Sequence, residues 1–195
     1  MRSEPRKLSS EADLYAAALH ALMRRAHSIF ELRIHLERRA SEPSVENGAV
    51  RRVLARLKQE KLLDDGKYAF DFARARASAR RQGGRRIALE LRKRGVPGRH
   101  IDAAIAQVFA DLDEGAMVRK VIERRMRMVR GGLDAHTFDR TSFDRNPFNR
   151  KKIASLYRTL LRAGFDPSVI RRELETATRN SESDASDFAS VDEGR

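Results

Sequence analysis

One pattern of apolar positions and helix stops recurs along this chain, and it limits what the chain can fold into more than any other feature. The shift that carries Gly95 onto Gly164 also carries Leu91 onto Leu160, Val96 onto Phe165, Ile101 onto Ile170 and Ile105 onto Leu174. A second shift carries Ser28 onto Gly83, Leu32 onto Ile87 and Leu36 onto Leu91. Stops and core positions that move together predict a tandem repeat, in which each unit is one small supersecondary motif. No segment alternates apolar and polar residues with period two over a useful length. The expected fold is therefore all-α, built from three tandem three-helix units of helix-turn-helix type.

Helical spacing places the elements. Residues 1–11 are polar and read as a disordered N-terminus. The first unit is expected over 12–63. Its first helix carries Leu14, Ala18 and Leu22. The second opens at Ser28, which with Glu31 fits a capping box, and buries Ile29, Leu32 and Leu36. The third carries Val50, Val53, Leu54 and Leu57, with Leu62 and Leu63 closing the unit. The second unit is expected over 64–110. Asp64 and Asp65 suit the start of its first helix, whose free amides and positive end favour carboxylates. That helix is expected to bury Tyr68, Phe72, Ala75 and Ala79, with Ala69 and Ala73 beside them, and to show Arg74, Arg76, Arg80 and Arg81. Gln82-Gly83-Gly84 breaks it. The next helix buries Ile87 and Leu91 and ends at Gly95, which suits a left-handed position after a helix. The sixth carries Ile101, Ala104, Ile105 and Val108. The third unit is expected over 111–177, with a long inserted loop near 130–148. It carries Met117, Val118, Val121, Ile122 and Met126, then Ile153, Leu156, Leu160 and Leu161, then Val169, Ile170 and Leu174. Gly164 stops its middle helix, and Asp166-Pro167 opens the last as N-cap and first helical residue. Residues 178–195 are read as an acidic disordered tail.

The chemistry suggested is cationic rather than catalytic. The sequence has no cysteine, so neither a disulfide nor a thiolate metal site is available. No apolar run approaches the roughly 18 residues of a membrane span, and the first residues lack a secretory signal, so a cytoplasmic protein away from membranes is expected. No phosphate-loop, nucleophile-elbow or zinc-helix motif is found, and the histidines read as solvated or capping side chains. No catalytic residue, metal or cofactor is expected. The formal net charge of +13 favours an anionic partner. Arg74, Arg76, Arg80, Arg81, Arg85, Arg86, Arg92 and Lys93 gather around the break between the fourth and fifth helices. Such a cluster can meet phosphates or a partner's carboxylates. From Thr178 the sign reverses: Glu182, Asp184, Asp187, Asp192 and Glu193 outnumber Arg179 and Arg195. Phe138-Asp139-Arg140, Phe143-Asp144-Arg145 and Phe148-Asn149-Arg150 repeat every five residues, a spacing that no single helix stripe produces. The three phenylalanines are expected to staple this loop to the third unit; stacking on bases or docking in a partner's groove is the other reading.

The central stretch resembles the RecX family of RecA regulators. The resemblance is carried by Leu63-Asp64-Asp65 followed by Tyr68, Phe72 and Arg76, then Gly84, then Leu89-Glu90-Leu91 with Arg94-Gly95-Val96. Arg25, Ser28, Glu31 and Leu32 match the pattern of the family's first unit, and Gly164-Phe165 matches a Gly-Phe before its last helix. The resemblance spans roughly Leu14 to Leu174. It implies three three-helix repeats and a protein that lies along the groove of the RecA–DNA filament and restrains recombinase, ATPase and coprotease activities; an elongated, curved body and a monomer are expected. Direct contact with single- or double-stranded DNA stays open, as does a stand-alone basic DNA- or RNA-binding protein. The matched positions, Ser28, Glu31, Asp64, Asp65, Phe72, Gly84, Gly95, Gly164 and Phe165, are expected to be caps and core rather than contacts.

Overall fold

The computed structural model describes residue 8 and residues 10–40, 43–131 and 150–192. Among these, the chain forms helices α1 (Glu11–Arg24), α2 (Ile29–Glu37), α3 (Pro43–Gln59), α4 (Asp65–Arg80), α5 (Gly84–Lys93), α6 (Gly98–Asp111), α7 (Glu114–Gly131), α8 (Arg150–Ala163) and α9 (Pro167–Asp192). The fold is all-α, with three successive trios of helices. Extended pairing among the described residues is limited to one bridge, Leu8 to Ala40, where the Leu8 amide donates to the Arg39 carbonyl at 2.7 Å. Leu8, Ser10 and Glu11 are thus ordered into the fold, where a disordered start was expected. None of the described helices is long and apolar enough to cross a membrane.

The caps follow from local chemistry. Ser10 accepts the Asp13 amide at the start of α1. Ser28 accepts the Glu31 amide at 3.0 Å while the Glu31 carboxylate takes the Ser28 amide, completing the capping box on α2. Asp64 accepts the amides of Gly66 and Lys67 at 2.7 and 3.1 Å and so caps α4. Asp166 accepts the Ser168 amide at 2.8 Å ahead of Pro167. At the other ends, Gly95 and Gly164 adopt φ of +70° and +87°. The Val96 amide reaches the Leu91 carbonyl and the Gly95 amide that of Arg92. The Phe165 and Gly164 amides repeat the pattern onto Leu160 and Leu161. Both are Schellman closures, which need a left-handed residue at the stop. Lys61 closes α3 in the same way at φ +57°, without the glycine that would signal it.

The core matches the repeat. Leu32, Leu36, Ile87, Leu91, Ile101, Leu160, Phe165 and Ile170 are all fully buried, so these positions, related by the two shifts, occupy equivalent places; Ile105, by contrast, is half-buried where its counterpart Leu174 is buried. Four expectations are corrected. In α4 the buried stripe is Tyr68, Ala69, Ala73 and Ala77, while Ala75 and Ala79 are exposed and Phe72 is half-buried. The stripe follows the four-residue row below Tyr68, one position from the row expected. Leu62 is 50% exposed because the left-handed Lys61 turns the chain and only Leu63 enters the core. Leu161 is 37% exposed, since the apolar face of α8 falls on Ile153, Leu156 and Leu160. The helix α9 continues to Asp192, across the point at 178 where a disordered tail was expected. The phenylalanine-arginine loop lies outside the described residues.

Two compact units divide the chain. One takes the residues up to Arg76 together with Ala88–Val108, and the other takes Ala77–Ile87 together with Phe109 onward. The helices of the second trio are therefore shared between the two units. In the first, α1, α2 and α3 enclose a core of Leu14, Ala18, Leu32, Leu36, Val50, Val53, Leu57 and Leu63. In the second, α7, α8 and α9 enclose Val118, Ile122, Leu160, Phe165, Ile170 and Leu174.

Candidate functional site

Each unit contains a junction where the start of one middle helix meets the end of the next. In the first unit the Ser28 hydroxyl donates to the Arg94 carbonyl at 2.6 Å, joining the start of α2 to the end of α5. The ring of Phe30 lies so close over Gly95 that a methyl there would overlap it. In the second unit the Gly83 amide donates to the Ala163 carbonyl at 2.9 Å and the Arg85 amide to Gly164 at 3.1 Å, joining the start of α5 to the end of α8. The two sequence shifts map one junction onto the other, Ser28 onto Gly83 and Arg94 onto Ala163. A side-chain hydroxyl meets a free carbonyl at the helix end in the first junction and free amides meet such carbonyls in the second, so each junction satisfies groups that would otherwise need water.

Glu31 is the polar centre of the first junction. Its carboxylate accepts from Arg94 at 2.5 Å, from Arg25 at 3.2 Å, from the Tyr68 hydroxyl at 3.2 Å and from the Ser28 amide at 3.3 Å. Burial alone would push its pKa up, but the Ser28 amide and the two guanidinium groups hold it below the ordinary value. Burial raises Tyr68, helped by Glu31. Phe72 stacks on Tyr68 with ring centroids 6.1 Å apart. The guanidinium groups of Arg76 and Arg94 sit 4.8 and 4.9 Å from the Phe72 centroid. Arg76 also pairs with Glu90 at 3.4 Å. Arg25, Ala26, Tyr68, Asp71, Phe72 and Arg94 line a shallow pocket of about 310 Å³ beside this network.

Asp65, 5% exposed, takes a role that sequence spacing did not indicate. Its Oδ1 accepts the Ile29 amide at 2.9 Å, so it caps α2 from a position far along the chain. His27 is 9% exposed, not a solvated ring. Its Nδ1 lies 2.9 Å from the Arg25 carbonyl, and its ring centroid is 6.3 Å from that of His35. Burial lowers both histidine pKa values, and neighbouring arginines lower them further.

The cationic residues singled out from the sequence fall into distinct environments. Arg74, Arg92 and Lys93 are exposed in the first unit and make no ion pair among the described residues. Arg76 is held by Glu90 and Phe72, which makes it part of the fold rather than an open contact. In the second unit Arg81 and Arg85 are exposed and form no ion pair among the described residues. Arg81 sits at φ +50°, just after α4. Arg86 donates to the Arg162 carbonyl at 3.1 Å, and its Cβ packs on Gly164. Of Arg80 only the backbone is described. Gly84 begins α5, but the steric demand falls on its neighbour Gly83, where an added methyl would overlap the backbone of Gly164 and Phe165. Among the described residues no three His, Asp or Glu side chains gather as metal ligands.

Comparison with known proteins places this geometry in a family. Residues 64–105 match the family model described as RecX, second three-helix domain. The regulatory protein RecX of Halorhodospira halophila is 45% identical over 109 residues, covering 56% of this chain and 63% of that protein. The regulatory protein RecX of a Mycobacterium species is 34% identical over 137 residues, covering 70% of this chain and 67% of that one. That of Oceanobacillus iheyensis is 25% identical over 170 residues, covering 87% of this chain and 55% of the relative. The alignments thus span less than two thirds of the Halorhodospira and Oceanobacillus proteins. Among solved structures, RecX from Lactobacillus salivarius shares the fold, with a TM-score of 0.67 at 19% identity over 85% of this chain and 95% of that one.

Proposed function

Since this chain belongs to the RecX family of regulatory proteins, we propose that it binds the RecA–DNA filament and restrains recombinase, ATPase and coprotease turnover there. It acts by occupying the filament rather than by chemistry of its own. The supporting observation is the pair of exposed guanidinium groups at the junction of α4, α5 and α8. Arg81 and Arg85 project without an ion-pair partner from a backbone that Gly83 and Gly164 hold rigidly. Guanidinium forks suit carboxylates on a protein partner, and a partner need not displace an existing ion pair to reach these two. Arg74, Arg92 and Lys93 offer further exposed charge on the other unit. A monomer of this kind would work away from any membrane, in the cytoplasm.

The test is RecA ATPase on single-stranded DNA, with this protein titrated below the recombinase concentration. Substoichiometric loss of turnover is the expected result. The double variant Arg81→Ala, Arg85→Ala should need about tenfold more protein for the same loss, an effect of roughly 1.4 kcal/mol. Arg86 is left unchanged because it packs on Gly164. Unchanged turnover together with tight, steeply salt-dependent binding to bare DNA would favour the stand-alone nucleic-acid-binding reading.

A further inference from the structure

Helices α8 and α9 leave a groove of about 860 Å³ between them, within the second unit. Four arginines line it. Arg150 and Arg158 stand eight positions apart on α8, and Arg171 and Arg179 stand eight apart on α9. Eight residues of helix rise about 12 Å, so each wall is about two turns long with a guanidinium at either end. Arg158 and Arg171 are the pair nearer in sequence to the Gly164 turn, and Arg150 and Arg179 the pair farther from it. All four are exposed, and none forms an ion pair among the described residues. Between the arginines the lining is mostly apolar, with Ile153, Ala154 and Tyr157 from α8 and Leu174 from α9. Leu174 belongs to the core of the unit, and Ile153 and Tyr157 pack partly against it.

Cations at both ends of an apolar floor call for a ligand that is acidic at both ends and apolar between. A single-stranded nucleic acid fits poorly. It would need a row of aromatic platforms, where the floor offers Tyr157 alone, and its phosphates would meet Glu175. A lipid carries its charge at one end only and would leave two of the four arginines unmatched. An extended peptide covers the groove in about four residues, so few of its side chains reach the floor between its acids. A helical peptide meets each demand. Acids two turns apart on one face are separated by the same rise as the arginines along each wall. The positions three and four along from the first acid turn apolar side chains to the floor, the pattern by which amphipathic helices lie in grooves.

We propose that the groove between α8 and α9 is a docking site for an acidic amphipathic helix of another protein, with carboxylates at both ends of one face and leucine-sized side chains between them. The carboxylates at one end meet Arg158 and Arg171, and those at the other meet Arg150 and Arg179. The apolar side chains cover Ile153, Tyr157 and Leu174, which removes both apolar faces from water. Opposite charge at the two ends sets the register along the groove and turns away basic helices, while the apolar contact supplies the affinity. These arginines are distinct from Arg81 and Arg85. The site does not rest on the filament reading, because it requires a single chain to bind such a helix with no filament present.

Fluorescence anisotropy of a labelled synthetic peptide, titrated with the full chain, tests it. The peptide is a helix of roughly fifteen residues, the length at which an isolated helix begins to hold, with leucines along one face and glutamates at both ends of that face. A matched peptide carries lysine in place of each glutamate. The expected result is saturable binding of the glutamate peptide, one per chain, weakening as salt is raised, and no binding of the lysine peptide. Arg150→Glu with Arg179→Glu should weaken the glutamate peptide by about tenfold or more. Arg150→Glu, Arg158→Glu, Arg171→Glu and Arg179→Glu together should switch the preference to the lysine peptide. Ala154→Trp, which fills the floor without changing charge, should abolish binding of the glutamate peptide with helical content unchanged by circular dichroism. Absence of saturable binding up to millimolar concentration would overturn the proposal, as would equal binding of both peptides or binding indifferent to Ala154→Trp. Displacement of the peptide by lower concentrations of single-stranded DNA or of phosphatidylglycerol vesicles would assign the groove to nucleic acid or to lipid instead, and would equally overturn it.

Discussion

Glu31 shows how much one side chain can hold together. Four donors converge on its carboxylate from α2, α4 and the ends of α5 and α1. Glu31→Gln removes the charge but keeps the shape, and should cost about 2 kcal/mol in chemical denaturation. The folded pKa is depressed, so the stability Glu31 contributes is complete above its unfolded value near about 4.3 and is lost as pH falls through the lower folded value. The glutamine variant should lose that part of the acid dependence. His27 carries the same sign in a different window. Its folded pKa lies below the ordinary value, so folding favours the neutral ring, and stability falls as pH drops below about 6.5. Its imidazole resonances should titrate with a midpoint below that value, and a midpoint above it would contradict the buried placement. Gly83 makes a steric rather than an electrostatic demand. Gly83→Ala should destabilise the protein by about 3 kcal/mol or more, because the obstacle is the backbone of Gly164 and Phe165 rather than a side chain that can swing away.

At the scale of elements, the middle helices are capped by chemistry that sequence reveals only in part. The capping box of Ser28 and Glu31 was legible because its partners lie three residues apart, and so were the stops at Gly95 and Gly164. Asp65 was not read correctly. It looks like a local cap for α4, yet Asp64 takes that role and Asp65 reaches the Ile29 amide of α2. Asp65→Ala should cost about 1 kcal/mol and speed hydrogen exchange at Ile29 more than at Gly66. Equal protection at both amides would remove the cross-chain cap. The α4 register was misjudged for a related reason. Alanines occupy several rows of that helix, so composition does not distinguish one row from the next, and packing alone selects Ala69, Ala73 and Ala77.

For the whole molecule, charge is the dominant long-range term. A formal net charge of +13 repels itself more strongly when the chain is compact, whereas most of the ion pairs lie at the surface, where each contributes about 0–1 kcal/mol. Raising salt from low ionic strength should therefore raise the melting temperature, with screening complete within a few tenths molar. A melting temperature that falls over the same range would mean that the pairs at Glu31, and those that buried Glu173 of α9 makes with Arg119 and Arg172 at 2.9 and 3.3 Å, outweigh the repulsion. The sequence by itself determined the helical class, the three-unit repeat and the stops. Those depend on spacing within one or two turns, and the chain carries that spacing wherever it folds. It also determined the cationic character and the family resemblance. Only the tertiary structure decided which of those cations are open. Arg76 lies against Phe72 and Glu90, and Arg86 against Gly164, while Arg81 and Arg85 form no ion pair among the described residues. Whether a guanidinium is available depends on which carboxylates, rings and carbonyls distant parts of the chain bring within a few ångströms, and no local spacing encodes that.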